Sequence, residues 1–285
     1  MARIVFCILW LFSFGFGACI ASFLNVVIWR VPRGESIVSP PSHCPKCNAA
    51  IKWYQNIPIL SWLALRGKCA NCKAPISPRY ILIELLGGAL FFVSFPMVVR
   101  SFSNPMEWLA LLVVWTWFSL MIVGSMIDFD HKLLPDFVTV GGMVLGLLFH
   151  VGESVHQFLF YSHFIRILDY SIVRSVSGLA LGFGLLWLIR WLGSIAFRRE
   201  AMGMGDVFLM GAVGALCGPV AVLVTLILSS VFGSVVGLSM VALSKTKFGK
   251  FVEIPYGPYI CMGCLAWMFC GEELIDLYFR LLGVN

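Results

Sequence analysis

Apolar residues run along this chain in long unbroken blocks, not at the spacing of an amphipathic helix or strand. Residues 4–29, 81–99, 108–127 and 175–197 meet or approach the roughly 20 predominantly apolar residues that a membrane-spanning helix needs. Residues 207–243 are long enough for two such helices, with Gly218-Pro219 as the expected break between them. Shorter apolar blocks occupy residues 137–151 and 255–270. The pattern predicts an all-α polytopic membrane protein with about eight transmembrane helices. The first block is far longer than the roughly 7 to 15 residues of a signal peptide core and runs straight into Arg30 and Arg33. It is expected to remain as the first transmembrane helix, residues 1–29.

Composition agrees with this reading, since 60% of the 285 residues are hydrophobic and only 12% are charged. The placement of Lys and Arg sets the orientation, because positive loops stay on the cytoplasmic side. Eight of them fall between Arg30 and Arg79, and with the N-terminus periplasmic the inner loops also collect Lys132, Arg198, Arg199, Lys245, Lys247 and Lys250. Arg3, Arg100, Arg166, Arg174 and Arg280 then lie outside. The net charge of +6 is explained by this retention signal and by anionic membrane lipid, so no nucleic acid partner is expected. The expected organisation is a first helix (1–29), a cytoplasmic cysteine-rich domain (30–80) and a helical membrane domain (81–285). The polar stretch 152–174 reads as an outer loop or interfacial helix without chemistry.

Residues 30–80 contain "SHCPKCNAA" and "GKCANCKAP". The pairs Cys44/Cys47 and Cys69/Cys72 have the spacing of a structural zinc site with four thiolate ligands. Two disulfides are the competing reading, which a reducing cytoplasmic location disfavours. His43 is expected to stay outside the site. Cys261 and Cys264 share the spacing but sit in an apolar block, where packing accounts for them.

Two carboxylates stand at the edges of apolar blocks. Asp128 ends the helix expected over 108–127, and Asp206, in "GMGD", begins the uncharged run 207–244. In the charge-based topology both fall at the same depth, near the inner boundary of the hydrocarbon, where carboxylates are costly unless paired, hydrated or functional. Two carboxyls in one site share a proton, which is the chemistry of an aspartic protease dyad. Each also has a plain structural reading: Asp206 and Asp136 as helix N-terminal acids, Asp130 as a solvated loop residue, Glu84 as a snorkelling group or partner of Arg79. Helix polarity would place the shared proton on Asp128, at the C-terminus of its helix, and leave Asp206 to activate water. Gly203 and Gly205 would let a substrate or a partner helix approach Asp206 closely. A cation transporter using the same carboxylates, or a zinc-containing scaffold without catalysis, are the rival function classes.

Several motifs together resemble the type IV prepilin peptidase family over nearly the whole chain. They are "SFLNVVIWRVP" (22–32), "CPKC", "CANC", "NIPILSW" (56–62), "RYILIE" (79–84), Asp128 through Asp136, "GMGD" (203–206) and "PYGPY" (255–259). The resemblance implies a GxGD-type aspartic peptidase of the cell inner membrane that removes the leader of type IV prepilins or pseudopilins, with Asp128 and Asp206 as its catalytic pair. It further implies N-methylation of the new N-terminal residue, usually Phe, with S-adenosylmethionine, by analogy with the family members that carry the paired cysteines. No glycine-rich dinucleotide fingerprint is present, so sequence alone names no residues for the methyl donor.

Overall fold

The computed structural model describes residues 2–161, 171–200, 202–243, 255–281 and 283. Helices follow one another as α1 (Ala2–Arg30), α2 (Leu60–Ala64), α3 (Arg79–Val98), α4 (Pro105–His131), α5 (Asp136–Tyr161), α6 (Val173–Phe197), α7 (Met204–Cys217), α8 (Pro219–Leu243) and α9 (Gly257–Leu281). No strand occurs among the described residues, only isolated bridges of His43 with Ala50 and Lys68 with Pro75. This is the all-helical architecture the blocks predict, because hydrocarbon requires backbone groups to be paired within each segment.

Among the described residues, six helices are long and apolar enough to cross a membrane: α1, α3, α4, α5, α6 and α8. Large apolar side chains such as Leu11, Leu148, Ile227 and Leu238 point outward on them, as lipid contact requires. The other two expected spans are helical but different in kind. Helix α7 has 14 residues, about 21 Å at 1.5 Å per residue, against a hydrocarbon core of about 30 Å. Helix α9 is apolar up to a kink at Cys270 (φ −131°, ψ 21°), beyond which Glu272, Glu273 and Asp276 follow. The break inside 207–243 falls where Gly and Pro put it: α7 ends at Cys217, Gly218 takes φ 88°, and Pro219 opens α8.

The chain divides into two compact units, Met1–Val123 and Gly124–Asn285. In the first, α1 packs on α3 through small residues, and a Cβ on Gly17 would stand 2.6 Å from the Gly87 carbonyl oxygen. Such close backbone approach is how apolar helices associate where lipid removes the hydrophobic driving force. Trp10 stacks on Phe92 and donates its indole N–H to the Phe92 carbonyl at 2.8 Å. Phe91 stacks on Trp115, whose N–H reaches the Ser94 hydroxyl at 3.1 Å.

In the second unit α7 is the buried centre, packed by α5, α6, α8 and α9. A Cβ on Gly178 of α6 would lie 2.1 Å from the Gly214 carbonyl oxygen, so α6 and α7 touch backbone to backbone. The last carbonyls of α7 lie at its buried C-terminal end, and side chains from neighbouring helices satisfy them. Ser175 donates to the Ala215 carbonyl (2.6 Å), His150 meets the Leu216 carbonyl (3.1 Å), and Arg174 donates to the Cys217 carbonyl (2.9 Å). Ser171 and Glu153 hold the other ring nitrogen of His150. The stretch 152–174, expected as an outer loop or interfacial helix without chemistry, is helical where it is described, at 152–161 and 171–174. Glu153, Ser171 and Arg174 form part of a polar cap on α7, while His163 and Asp169 lie outside the described residues.

Candidate active site and metal centre

Asp128 sits in the last turn of α4, which runs on to His131 and closes with Lys132 in a left-handed conformation (φ 53°). Asp130 is thus helical and exposed, and Asp136 is an exposed acid in the first turn of α5, after Pro135, as its plain reading held. Asp206 is the third residue of α7, and its carboxylate accepts the backbone N–H of Gly203, the residue preceding the helix. That is the acidic half of a capping box.

Both carboxyls are buried and lie within Coulombic reach of one another in the second unit. Asp128 Oδ2 accepts the N–H of Gly257 at 3.0 Å, and Gly257 is the first residue of α9. Helix polarity therefore does not separate the two acids as the sequence suggested. That argument counted only the helix each residue belongs to, whereas Asp128 also faces the N-terminus of α9. Each carboxylate takes a backbone N–H at a helix start, a setting that suits negative charge.

The glycines have specific neighbours. A Cβ on Gly205 would come 2.8 Å from the Leu134 Cβ, and one on Gly257 would come 2.7 Å from Asp128 Oδ2 and 3.3 Å from Leu134 Cδ1. Leu134 thus packs close to the starts of both α7 and α9, at Gly205 and Gly257. A Cβ on Gly203 would meet only Asp206 Oδ2, at 3.5 Å. Gly257 and Leu134 are site residues that residue-by-residue reading missed. The signal for Gly257 was present in "PYGPY", but nothing in the sequence says that its N–H meets Asp128. Cys261 and Cys264 are buried one and two turns along α9, and Cys261 lies beside Ser125 within electrostatic reach of both acids.

In the first unit, the Sγ atoms of Cys44, Cys47, Cys69 and Cys72 lie within 4.8 Å of one another, none in a disulfide, and could hold a metal ion. The Cys44–Cys72 sulfur separation of 3.9 Å is close to the roughly 3.8 Å edge of a tetrahedron with metal–sulfur bonds of about 2.3 Å. The two knuckles are built alike. Cys44 N–H donates to the Ala49 carbonyl and Cys69 N–H to that of Ala74, and Asn48 and Lys73 turn each chain back at φ 54° and 58°. The N–H groups of Cys72 and Asn71 pull the Cys69 thiol down to about 6. His43 turns away to the Pro41 carbonyl. Glu84 neither snorkels nor extends into water: it is 8% exposed, and its Oε2 accepts the N–H of Ile59 at 2.7 Å.

Residues 16–98 match the bacterial peptidase A24 N-terminal domain, and residues 115–238 match the type IV leader peptidase family. A prepilin leader peptidase/N-methyltransferase of Myxococcus xanthus is 40% identical over 85% of this chain and 66% of its own length, just short of two thirds. The type 4 prepilin-like proteins leader peptide-processing enzyme of Escherichia coli is 34% identical, covering 89% of this chain and 91% of that protein. A Pseudomonas aeruginosa prepilin leader peptidase/N-methyltransferase is 32% identical over 94% and 92% respectively. No solved structure matches. The two matched regions and this shared length make the chain an integral membrane member of the type IV leader peptidase family.

Proposed function

We propose that this chain is a bifunctional inner-membrane enzyme that removes the leader of type IV prepilins or pseudopilins and N-methylates the residue so exposed, with Asp128 and Asp206 as the catalytic pair. The observation that carries the peptidase reading is the meeting of these two acids in one buried site, each fixed by a backbone N–H. A protonated carboxyl of such a pair polarises the scissile carbonyl while the ionised one takes a proton from the attacking water. The backbone bonds hold the acids in place without adding a charge of their own. Charge placement supports a periplasmic N-terminus and an active site at the cytoplasmic face, where a membrane-anchored substrate presents its leader junction.

Residues 30–80 form the cytoplasmic zinc-binding domain in this proposal, and residues 81–285 the helical peptidase domain. Cys44, Cys47, Cys69 and Cys72 would hold one structural Zn²⁺, to which the near-tetrahedral sulfur spacing is suited. S-adenosylmethionine supplies the methyl group when bound. Replacing Asp128 and Asp206 separately by Asn tests the reading, with cleavage of a prepilin followed by mass and N-terminal sequence. Each variant is expected to lose about 10²- to 10⁴-fold in rate, the range that general acid–base groups contribute. Retention of cleavage in either folded variant would exclude the dyad, and a cation-transport role would have no need of substrate hydrolysis at all.

A further inference from the structure

In the first unit, a cavity of about 350 Å³ opens between the cytoplasmic end of α1, residues 37–42 and residues 56–58. Its wall includes Arg30, which is only 7% exposed and has no acidic partner among the described residues. Two of the five guanidinium N–H groups are engaged, with the Ser36 carbonyl at 2.8 Å and the Pro40 carbonyl at 2.7 Å. No carboxylate lines the cavity. A buried cation without a counter-ion is costly, and an anionic ligand group would offset that cost. The volume falls at the lower end of small-molecule sites.

We propose that this cavity is the methyl-donor site, with Arg30 pairing with the carboxylate of S-adenosylmethionine, an inference that rests on the methyltransferase reading above. The wall suits the rest of that molecule. Phe23 and the prolines offer apolar faces for a purine ring, and Ser22, Ser42 and Asn56 offer polar groups for its ribose and ammonium. The wall also links the donor to the metal, because residues 37–42 lead directly into Cys44 and the Arg30 contacts hold their backbone. Removing the metal should loosen that wall and weaken donor binding.

Equilibrium dialysis of tritiated S-adenosylmethionine against the full chain, purified in detergent with its metal retained, provides the test. Arg30→Gln is expected to raise the dissociation constant about tenfold or more, the loss typical of a hydrogen bond to a charged group. Because Arg30 also orders the 36–40 loop, a second variant, Ser22→Trp, fills the cavity from α1 and is expected to produce a comparable loss with metal content unchanged. Photolabelling of the unaltered chain by the same donor is expected to mark peptides within residues 19–58. Wild-type affinity in both variants, or labelling elsewhere, overturns the proposal. So does native mass spectrometry in which both variants lose a bound phosphatidylglycerol while donor affinity stays constant, since the anion would then be a lipid phosphate. If the unaltered chain neither binds the donor nor methylates a cleaved prepilin, the methyltransferase reading itself fails, whereas binding and methylation with labelling elsewhere reject only this cavity.

Discussion

Gly257 shows how much a single missing side chain decides at this site. Its N–H holds Asp128 at 3.0 Å, and any Cβ would intrude to 2.7 Å from the same oxygen. Gly257→Ala is expected to push the Asp128 carboxyl aside, and a misplacement of about 1 Å is enough to cost roughly 10²-fold in rate. The loss should appear in kcat with KM for the prepilin little changed, because on the proposed mechanism the variant displaces the reacting group and not the surface that binds the substrate. Gly203→Ala is the control, since a Cβ there would make an ordinary 3.5 Å contact with Asp206. It should retain activity within about threefold, in keeping with the small cost of changing a glycine in an extended conformation. Equal losses in the two variants would show that the glycines matter for some reason other than their distance from the acids.

At the scale of the element, α7 carries the burden of being too short. A helix of 14 residues is shorter than the hydrocarbon core, and it is packed in the middle of the second unit, where each unpaired carbonyl is expensive. Arg174, Ser175 and His150 supply the missing partners. Arg174→Met removes the donor to the Cys217 carbonyl while keeping an unbranched side chain, and should destabilise the second unit by about 1–3 kcal/mol. Denaturant unfolding in detergent, monitored by tryptophan fluorescence, would measure it, and an unchanged midpoint would mean that water reaches this end of the helix. Gly178→Val should be more damaging, because its added carbons must displace the α7 backbone at Gly214 and not merely a flexible side chain. Severe loss of folded protein is the expected result for that variant.

At the scale of the whole molecule, the four-cysteine cluster proposed to hold zinc and the acid pair belong to different compact units, so they should fail independently. One zinc per purified chain is expected, and chelation should increase hydrogen exchange across residues 30–80 while the helices of the second unit stay protected. Cys72→Ser is expected to impair methylation more than cleavage for the same reason. Acid should act on the proposed metal centre in a defined direction. The Cys72 and Asn71 N–H groups lower the Cys69 thiol from 9.0 to about 6, so its folded-state stabilisation is present above about 9 and fades as the pH falls through 6, whereas Cys72, pushed up to about 11 by burial and its neighbouring sulfurs, runs the opposite way and loses its contribution only as the pH rises through 11. Metal retention should weaken over the same descent, because thiolate ligands must stay deprotonated. Zinc release measured with a chromophoric chelator from pH 8 to pH 5 would check this, and tighter retention at the acidic end would contradict it.

What could be learned from residue order alone was whatever depends on local composition. Apolar blocks marked the helices because lipid forces backbone groups to pair within the segment, and Gly218-Pro219 marked the break because neither residue continues a helix there. The two C-x2-C pairs marked the four-cysteine cluster because a knuckle is a local structure, and each pair builds its own half. Asp128 and Asp206 stood out because charge is rare beside such blocks. Only the tertiary structure decided what those residues meet. The Gly257 N–H reaches Asp128 across 129 positions, and Leu134 packs close to two glycines that are 52 positions apart. His150, Glu153, Ser171 and Arg174 read as unremarkable polar residues until the fold set them around the C-terminal end of α7. The physical reason is the same in each case: the burial of a polar group is visible in its neighbours along the chain, but the partner that satisfies it is chosen by how the helices pack.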